Sequence, residues 1–581
     1  MTNSAAPQTA SSSGAPAPTE LTQEALTAAA MKILTTDPRF KVGEAEIRGN
    51  SYRVFENAPA SLVDLFRFGA AAHGEKDFIV YEDEVHSFQG VWSDALKFAN
   101  ALRADYGIGK GDRVALAMRN YPEWCIAFKG ILATGAVVVP LNAWWKTEEL
   151  SYALGDCGAK LVIVDGKRFD LIEPVASKHG LTMIVARDAR DGAASFADLL
   201  AGHEANDLQP DIQHEDDFAI YYTSGSTGTP KGVILTHRGC VTTLFSWAFI
   251  ATVLKEARGG VSLFGDNPGI LLAIPLFHVT GSHSIFLMSY LVGRRMAMMY
   301  RWDPVEACNL IRDHELTNFV GVPSQSYEMI DAAGEQGLPS LLDIGSGGAK
   351  RPPDHVRLLA DRFKGANPSS GYGLTETNAI GCVNTLADYR RKPDSTGKAV
   401  PPCCDIKIVG DDGDAATGEV GEIWIRSAGN FRGYLNRPED TEKALTPDGW
   451  FRTGDLGRLD DEGFLFIVDR MKDIIIRAGE NISCLEVEAA AYEFGAVGEA
   501  IVFSVPDDVL GERVGLVVHP KQGMNIDLEE LRQFMGKRLA GFKVPERMWV
   551  SPMQLPRLGT AKFDKITIRR IALQNEPQLS V

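Results

Sequence analysis

The sequence predicts an α/β protein: parallel sheets covered by helices on both faces, then a small β-rich piece, then a compact α/β module at the C-terminal end. Three observations predict it. Apolar runs of strand length alternate with helical stretches over most of the chain. Near residue 395 that rhythm gives way to short strands set between Gly/Asp turns. Past residue 470 the alternation of helix and strand resumes on a smaller scale. The length, 581 residues, corresponds to three or four domains at about 150 residues each.

In chain order, residues 1–20 are Ala/Ser/Pro-rich and predict a disordered tail. They lack the basic start and apolar stretch of a secretory signal. DFIVYED (77–83), RVALAMR (113–119), AVVVPL (136–141) and KLVIVD (160–165) are strand candidates, with the helical YPEWCIAFKGILATG (121–135) among them. ILLAIPLF (270–277), RRMAMMY (294–300) and TNFVGVP (317–323) continue the pattern. Between 395 and 470, DIKIVG, GEIWIRS and GFLFIVD alternate with the turns GDDGD and DDEG. Beyond lie a helix (CLEVEAAAYEF), two strands (EAIVFSV, RVGLVVHP) and a second helix (LEELRQFMGKRLAG). The boundary falls at DRMKD (469–473). It divides a large unit at 21–470, whose β-rich part is 395–470, from a small one at 471–581.

A net charge of −17 argues against a general nucleic-acid binder, which carries a basic face. A polyanionic substrate must then be drawn in by local basic groups. The last stretch is locally basic, with Lys537, Arg538, Lys543, Arg547 and Arg557. Eight scattered cysteines form no CxxC pair and no zinc spacing, which suits reduced, buried thiols. No apolar run is read as reaching the roughly 18 residues of a membrane span. The expected location is the cytoplasm, with peripheral membrane contact through a small apolar patch left open.

Residues 222–232 read YTSGSTGTPKG, at the end of an apolar strand. Glycines let backbone N–H groups turn toward one anion, hydroxyls add donors, and Lys231 adds a point charge. This is a phosphate cradle, but not a Walker A loop: Pro230 precedes the lysine and Gly232 follows it. GYGLTET (371–377) offers Tyr372 as a flat face for a base and Glu376 as a hard carboxylate of the kind Mg2+ prefers. WFRTGDL (450–456) places Asp455 on a tight turn, where a carboxylate can accept both hydroxyls of a ribose. DRMKDIIIRAGENIS (469–483) sets Arg470 and Lys472 before an apolar strand that ends at Ala478-Gly479, and LPRLGTAKFDK (555–565) puts Lys562 on a Gly/Thr-bearing loop. Singly, each of the last three motifs also reads as an ordinary turn or surface strand.

In this order the five motifs resemble the adenylate-forming superfamily of acyl-CoA synthetases, luciferases and peptide-synthetase adenylation domains, over about residues 50–570. The resemblance is to the bacterial fatty-acyl-CoA synthetase branch. It implies a large N-terminal domain of two doubly wound subdomains plus a β-barrel-like subdomain, and a small mobile α+β C-terminal lid. It implies ATP, Mg2+ and coenzyme A as reactants. Thr223, Ser224, Ser226, Thr227 and Lys231 would hold the phosphates, with Gly225 and Gly228 in the same loop. Glu376 and Thr223 would hold Mg2+. Tyr372 would stack on adenine, lined by Gly348, Ala349, Ser370 and Gly371, with Gly373 and Thr375 in the same nucleotide set. Asp455 and Arg470 would hold the ribose, Lys472 would be the hinge, and Gly479 would leave room for pantetheine. Lys562 would offset developing charge in the adenylating pose. Two positions depart from the family pattern: Ala561 stands before the catalytic lysine where glycine is usual, and Asn481 stands where several fatty-acyl relatives carry Trp.

PLFHVTG (275–281) resembles the family segment whose histidine, His278, sits where acid pocket and adenylate meet. Trp247, Val279, Gly321, Val322, Ser324, Gly347 and Gly348 are expected around that pocket. With no cation or carboxylate assigned to a second substrate charge, an apolar monocarboxylate is expected. The resemblance therefore implies an acyl-CoA ligase for a medium- or long-chain fatty acid. The alternatives are an aryl- or steroid-carboxylate CoA ligase, or a stand-alone adenylation enzyme that loads a carrier protein. Family members are often dimers, so a homodimer is one expected assembly.

Overall fold

Strands form where the short apolar runs predict them, because β-branched and apolar residues fill both faces of a covered sheet. The computed structural model describes residues 21–223, 230–559 and 562–580. The expected tail at 1–20, Ser224, Gly225, Ser226, Thr227, Gly228 and Ala561 lie outside them.

Among the described residues, the larger sheets have eight, nine, five and six strands. The eight-stranded sheet has a parallel centre: Asp217–Thr223, Val137–Pro140, Arg113–Ala117, Leu161–Asp165 and Thr182–Ala186 lie side by side. Lys231–Thr236 and then Gly433–Tyr434 extend it antiparallel at one edge. The nine-stranded sheet is parallel from Asn367–Gly373 through Asp343–Ser346, Asn318–Gly321, Gly269–Leu272 and Arg295–Met298 to Asp77–Tyr81. The chain thus contributes an early strand to the later sheet. One apolar core joins the two sheets. Its centre includes the helix Pro122–Ala133, whose Trp124 and Phe128 rings stack at 5.1 Å.

The β-rich part corrects one expectation. It is an open antiparallel sheet, ordered Gly413–Asp414, Cys404–Gly410, Gly421–Ser427, Phe451–Leu459, Leu465–Arg470, and its two edge strands do not pair to close a barrel. A two-residue edge strand is too short to complete a barrel wall. Arg470 ends that sheet and Ile475 begins the next, a six-stranded sheet centred on the long hairpin Val497–Asp507 and Gly511–Pro520.

All eight cysteines are buried and free, as expected. The helix His237–Ala257, however, is long and apolar enough by length and composition to cross a membrane, a run the sequence reading passed over. Here it is a packed element: half of its apolar window is buried, and Gln23–Thr36 lies against it.

Candidate active site

Ligands of open parallel sheets bind beyond the carboxyl ends of the strands, and the sequence motifs fall there. Thr223 and Gly321 are the last residues of their strands, Gly347 and Gly348 follow Asp343–Ser346, and Gly371, Tyr372 and Gly373 end Asn367–Gly373. Ser370 is buried in that strand, while Gly371, Gly348 and Ala349 are exposed. The two large sheets meet at this point. Tyr434, on the edge of the first, donates its hydroxyl to Glu376 Oε1 at 2.9 Å, just past the end of a strand in the second.

Asp455 is held in the crevice from two sides. Its strand pairs with Leu465–Arg470 so that Asp455 lies opposite Arg470. Arg470 Nε reaches Oδ1 at 3.1 Å, and the Tyr372 hydroxyl donates to Oδ2 at 2.7 Å. A carboxylate has about four lone-pair sites, so it can take further donors. Glu376 is buried on the short turn Thr375–Thr377, and burial pushes its carboxyl up, opposed in part by Tyr434. A buried carboxylate is a hard-oxygen donor, the kind that suits a divalent cation. A second oxygen cluster, Asp460, Asp461 and Glu462, has Lys392 against Asp460 and Glu462 and Arg391 against Glu462.

Lys562 crosses from the C-terminal module into this crevice. Its Cε lies 2.9 Å from the point a β-carbon on Gly348 would occupy, and Gly348 has φ +77°. Any side chain at 348 would meet the lysine stem, and the backbone there favours glycine. Burial and then Arg470 push the Lys562 ammonium down to about 8, against the pull of Asp455. His278 Nδ1 accepts the Thr280 N–H at 3.2 Å, so a neutral ring carries its proton on Nε2. Burial, then Lys562 and His283, push His278 down to about 3, which keeps it neutral.

Residues 66–435 match the AMP-binding enzyme family, and residues 486–562 match the AMP-binding enzyme C-terminal domain. The chain belongs to the AMP-binding enzyme family. As an AMP-binding enzyme of the CoA-ligase kind, it is an acid–thiol ligase. It is 32% identical to the long-chain-fatty-acid–CoA ligase of Bacillus subtilis, over 89% of this chain and 95% of that one. It is 34% identical to a feruloyl-CoA synthase of Amycolatopsis, over 82% and 91%. Its fold matches the o-succinylbenzoate CoA synthetase of Bacillus subtilis solved with its acyl-adenylate intermediate. The TM-score is 0.76 at 26% identity, over 90% of this chain and 100% of that one.

The AMP-binding enzyme does not bring every predicted residue together. Lys231 is ion-paired to Asp440 at 2.9 Å, with its ammonium 5.0 Å from the Tyr434 ring. Lys472 is exposed in the turn between the five- and six-stranded sheets. Gly479, at φ +87°, is exposed on the hairpin Ile475–Arg477 and Glu480–Ile482, with open space around it. The basic C-terminal stretch is largely paired: Arg538 with Glu493, Lys543 with Glu486, and Arg557 with Glu499. On the pocket side, Val279 is buried and Trp247 packs half-buried against the apolar core. A β-carbon at Gly321 would strike Phe319 and Gln325, while one at Gly347 would lie 3.7 Å from the Gly371 carbonyl.

The sequence reading missed a buried polar chain beneath the site. Tyr221 donates to Ser282 Oγ at 2.8 Å, and Ser282 Oγ lies 3.0 Å from His283 Nδ1. His283 Nε2 meets Asn378 Oδ1 at 3.1 Å, and Asn378 Nδ2 donates to the Gly429 carbonyl at 2.8 Å. An amide oxygen facing Nε2 requires the proton on Nε2, so Nδ1 accepts from Ser282. Burial pushes His283 down to about 4, which agrees with this neutral form. The chain ties the strand leading to Thr223 to the turn bearing Glu376. Its signal in the sequence is a polar stretch, Thr280 to Ser284 with the buried Ser282 and His283 inside it, set between apolar residues.

Proposed function

We propose that this enzyme is an acyl-CoA ligase that activates a medium- or long-chain fatty acid as an acyl-adenylate and passes the acyl group to coenzyme A. One observation carries the reading: Lys562, from the C-terminal module, lies beside Gly348, near His278 and the Asp455–Arg470 pair. That is a cation brought to the place where a phosphate and a carboxylate would meet.

The chemistry has two steps. A carboxylate oxygen attacks the α-phosphorus of ATP, the bond to the β-phosphate bridge breaks, and pyrophosphate leaves. The thiol of coenzyme A then attacks the acyl carbon, AMP leaves, and the thioester remains. In the first step two anions approach, so charge on the oxygens must be offset. Lys562 supplies that charge between carboxylate and phosphoryl oxygens. Asp455 accepts from the ribose hydroxyls, with Arg470 fixing its orientation, and Tyr372 lies along the base. The neutral His278, with its Nε2 proton, is a donor toward the acid. Glu376 and Thr223 would hold Mg2+, which lowers the charge of the leaving phosphates when bound. A related o-succinylbenzoate synthetase structure holds ATP and a magnesium ion. The module after residue 470 acts as the lid, with Lys472 at its hinge.

The pocket border, Val279, Val322 and the glycines at 321 and 347, is apolar or small, which supports a fatty acid. The 34% identity to a feruloyl-CoA synthase favours an aryl acid as the second reading. Pyrophosphate release and thioester mass should be followed over straight-chain, aryl and steroid acids, with and without coenzyme A. Fatty acids are expected to release pyrophosphate and to yield thioester when the thiol is added. Turnover confined to aryl acids would replace the substrate. Acid-dependent release that coenzyme A cannot convert would transfer the role to carrier loading.

A further inference from the structure

We propose that Trp144 and Ser324 are positioning residues that seat the Lys562 loop for the first half-reaction. The proposal rests on the adenylating role assigned above to Lys562.

Trp144 is a large aromatic left 41% exposed, just beyond the strand Val137–Pro140. Everything behind it is fixed. Asn142 Oδ1 accepts the Trp144 N–H at 2.9 Å. Arg168 donates to the carbonyls on either side of it, those of Ala143 and Trp145. The Arg119 guanidinium carbon lies 3.2 Å from the indole centroid, and the Arg119 backbone N–H donates to Asp165 at 3.0 Å. Trp145, buried, stands edge-on to Tyr222 at 6.0 Å, one residue before Thr223. The indole is therefore a held surface, tied to the strand that leads into the phosphate loop.

Gly559 lands on that surface. A β-carbon at 559 would collide with the indole ring, so the close approach requires glycine. The Leu558 N–H donates to the Lys562 carbonyl at 2.7 Å, which ties the residue beside the landing point to the lysine. The second support is Arg557, which donates to Ser324 Oγ at 2.6 Å. Arg557 is aimed from within its own module: Glu499 Oε1 pairs with it at 2.6 Å, and Glu499 Oε2 accepts the Leu555 N–H at 2.6 Å. Ser324 lies in the first turn of the helix Pro323–Ala332, beside the pocket residues Gly321 and Val322. The lysine thus follows a loop pinned at two points of the large domain. Such seating removes freedom that the reacting geometry would otherwise have to overcome.

The test compares Trp144→Ala, Ser324→Ala and Gly559→Val with Trp144→Phe, which keeps a flat face. Pyrophosphate release from acid and ATP is expected to fall by about 10–100-fold in the first three, since small misplacements of a reacting group cost this much. In Trp144→Ala and Gly559→Val, thioester formation from supplied acyl-adenylate should stay within about twofold, and Trp144→Phe should recover most of the first step. A second readout needs no turnover. The difference in acrylamide quenching between wild type and Trp144→Phe reports Trp144, and Gly559→Val should make that residue more quenchable. Equal loss of both half-reactions, full retention of the first, or unchanged quenching would each overturn the proposal. Failure of the parent reading looks different: wild type would release no pyrophosphate with any acid, while the quenching comparison would still report on docking.

Discussion

The two walls of the crevice are built in different ways. On the large-domain side, Tyr372, Asp455 and Arg470 hold one another, and Tyr434 holds Glu376. On the other side stands one lysine on a loop that reaches across from a separate sheet. The first wall is preorganised and supplies binding without rearrangement at the moment of reaction. The second brings its charge only while the C-terminal module sits as it does here. In the proposed mechanism, nucleotide affinity and the ability to use the nucleotide are therefore separable.

The widest break in that comparison is Lys562→Ala. Pyrophosphate release should fall by about 10²–10³-fold, the usual cost of removing a preorganised charge partner. The Kd for ATP should move by less than about tenfold, because the prearranged wall remains. Rapid-quench kinetics beside calorimetric ATP binding would separate the two, and a parallel loss of both would merge the walls.

The next effect is pH. In its proposed role Lys562 acts as the ammonium, and burial brings its folded value to about 8, below the ordinary 10.5. The charged fraction halves near pH 8 and falls about tenfold per unit above it, so kcat/KM should decline on that limb. Bound phosphates favour the charged form, so the limb of kcat should lie higher. Because the folded state releases this proton before the unfolded one, stability from this group rises with pH between about 8 and 10.5. A thermal-melt series that fell across that window, with no corresponding change in Lys562→Met, would contradict the assignment.

Smaller effects sharpen the picture of the fixed wall. His283→Leu strands Asn378 and Ser282 in the interior and should cost about 2 kcal/mol in denaturant unfolding, the penalty for unpaired buried groups. Tyr372→Phe removes one hydroxyl bonded to a carboxylate. It should raise the KM for ATP by about 5–10-fold, or roughly 1–1.5 kcal/mol, while the melting temperature changes little.

The sequence made the strands at 77–83, 113–119 and 160–165 legible because burial on both faces leaves continuous apolar runs. It could not show that Asp77–Tyr81 pairs with Arg295–Met298, more than 200 residues away, since periodicity is local. Glu376, Asp455 and Lys562 were legible because glycines and hydroxyls mark their turns. The Asp440 partner of Lys231 was not, because an ion pair between distant segments leaves no pattern in either. The basic C-terminal run misled for the same reason: Arg538, Lys543 and Arg557 meet carboxylates that folding supplies. His283 and Asn378 lay outside every motif, and their meaning comes from a buried junction of three segments.

In the proposed reaction an organic acid is adenylated in this crevice. Exchange of labelled pyrophosphate into ATP tests it most directly, because exchange requires a reversible acyl-adenylate and no thiol. Exchange should need both a carboxylic acid and Mg2+, proceed without coenzyme A, and disappear in Lys562→Ala. Absence of exchange with every acid tried, or exchange undiminished in Lys562→Ala, would contradict it.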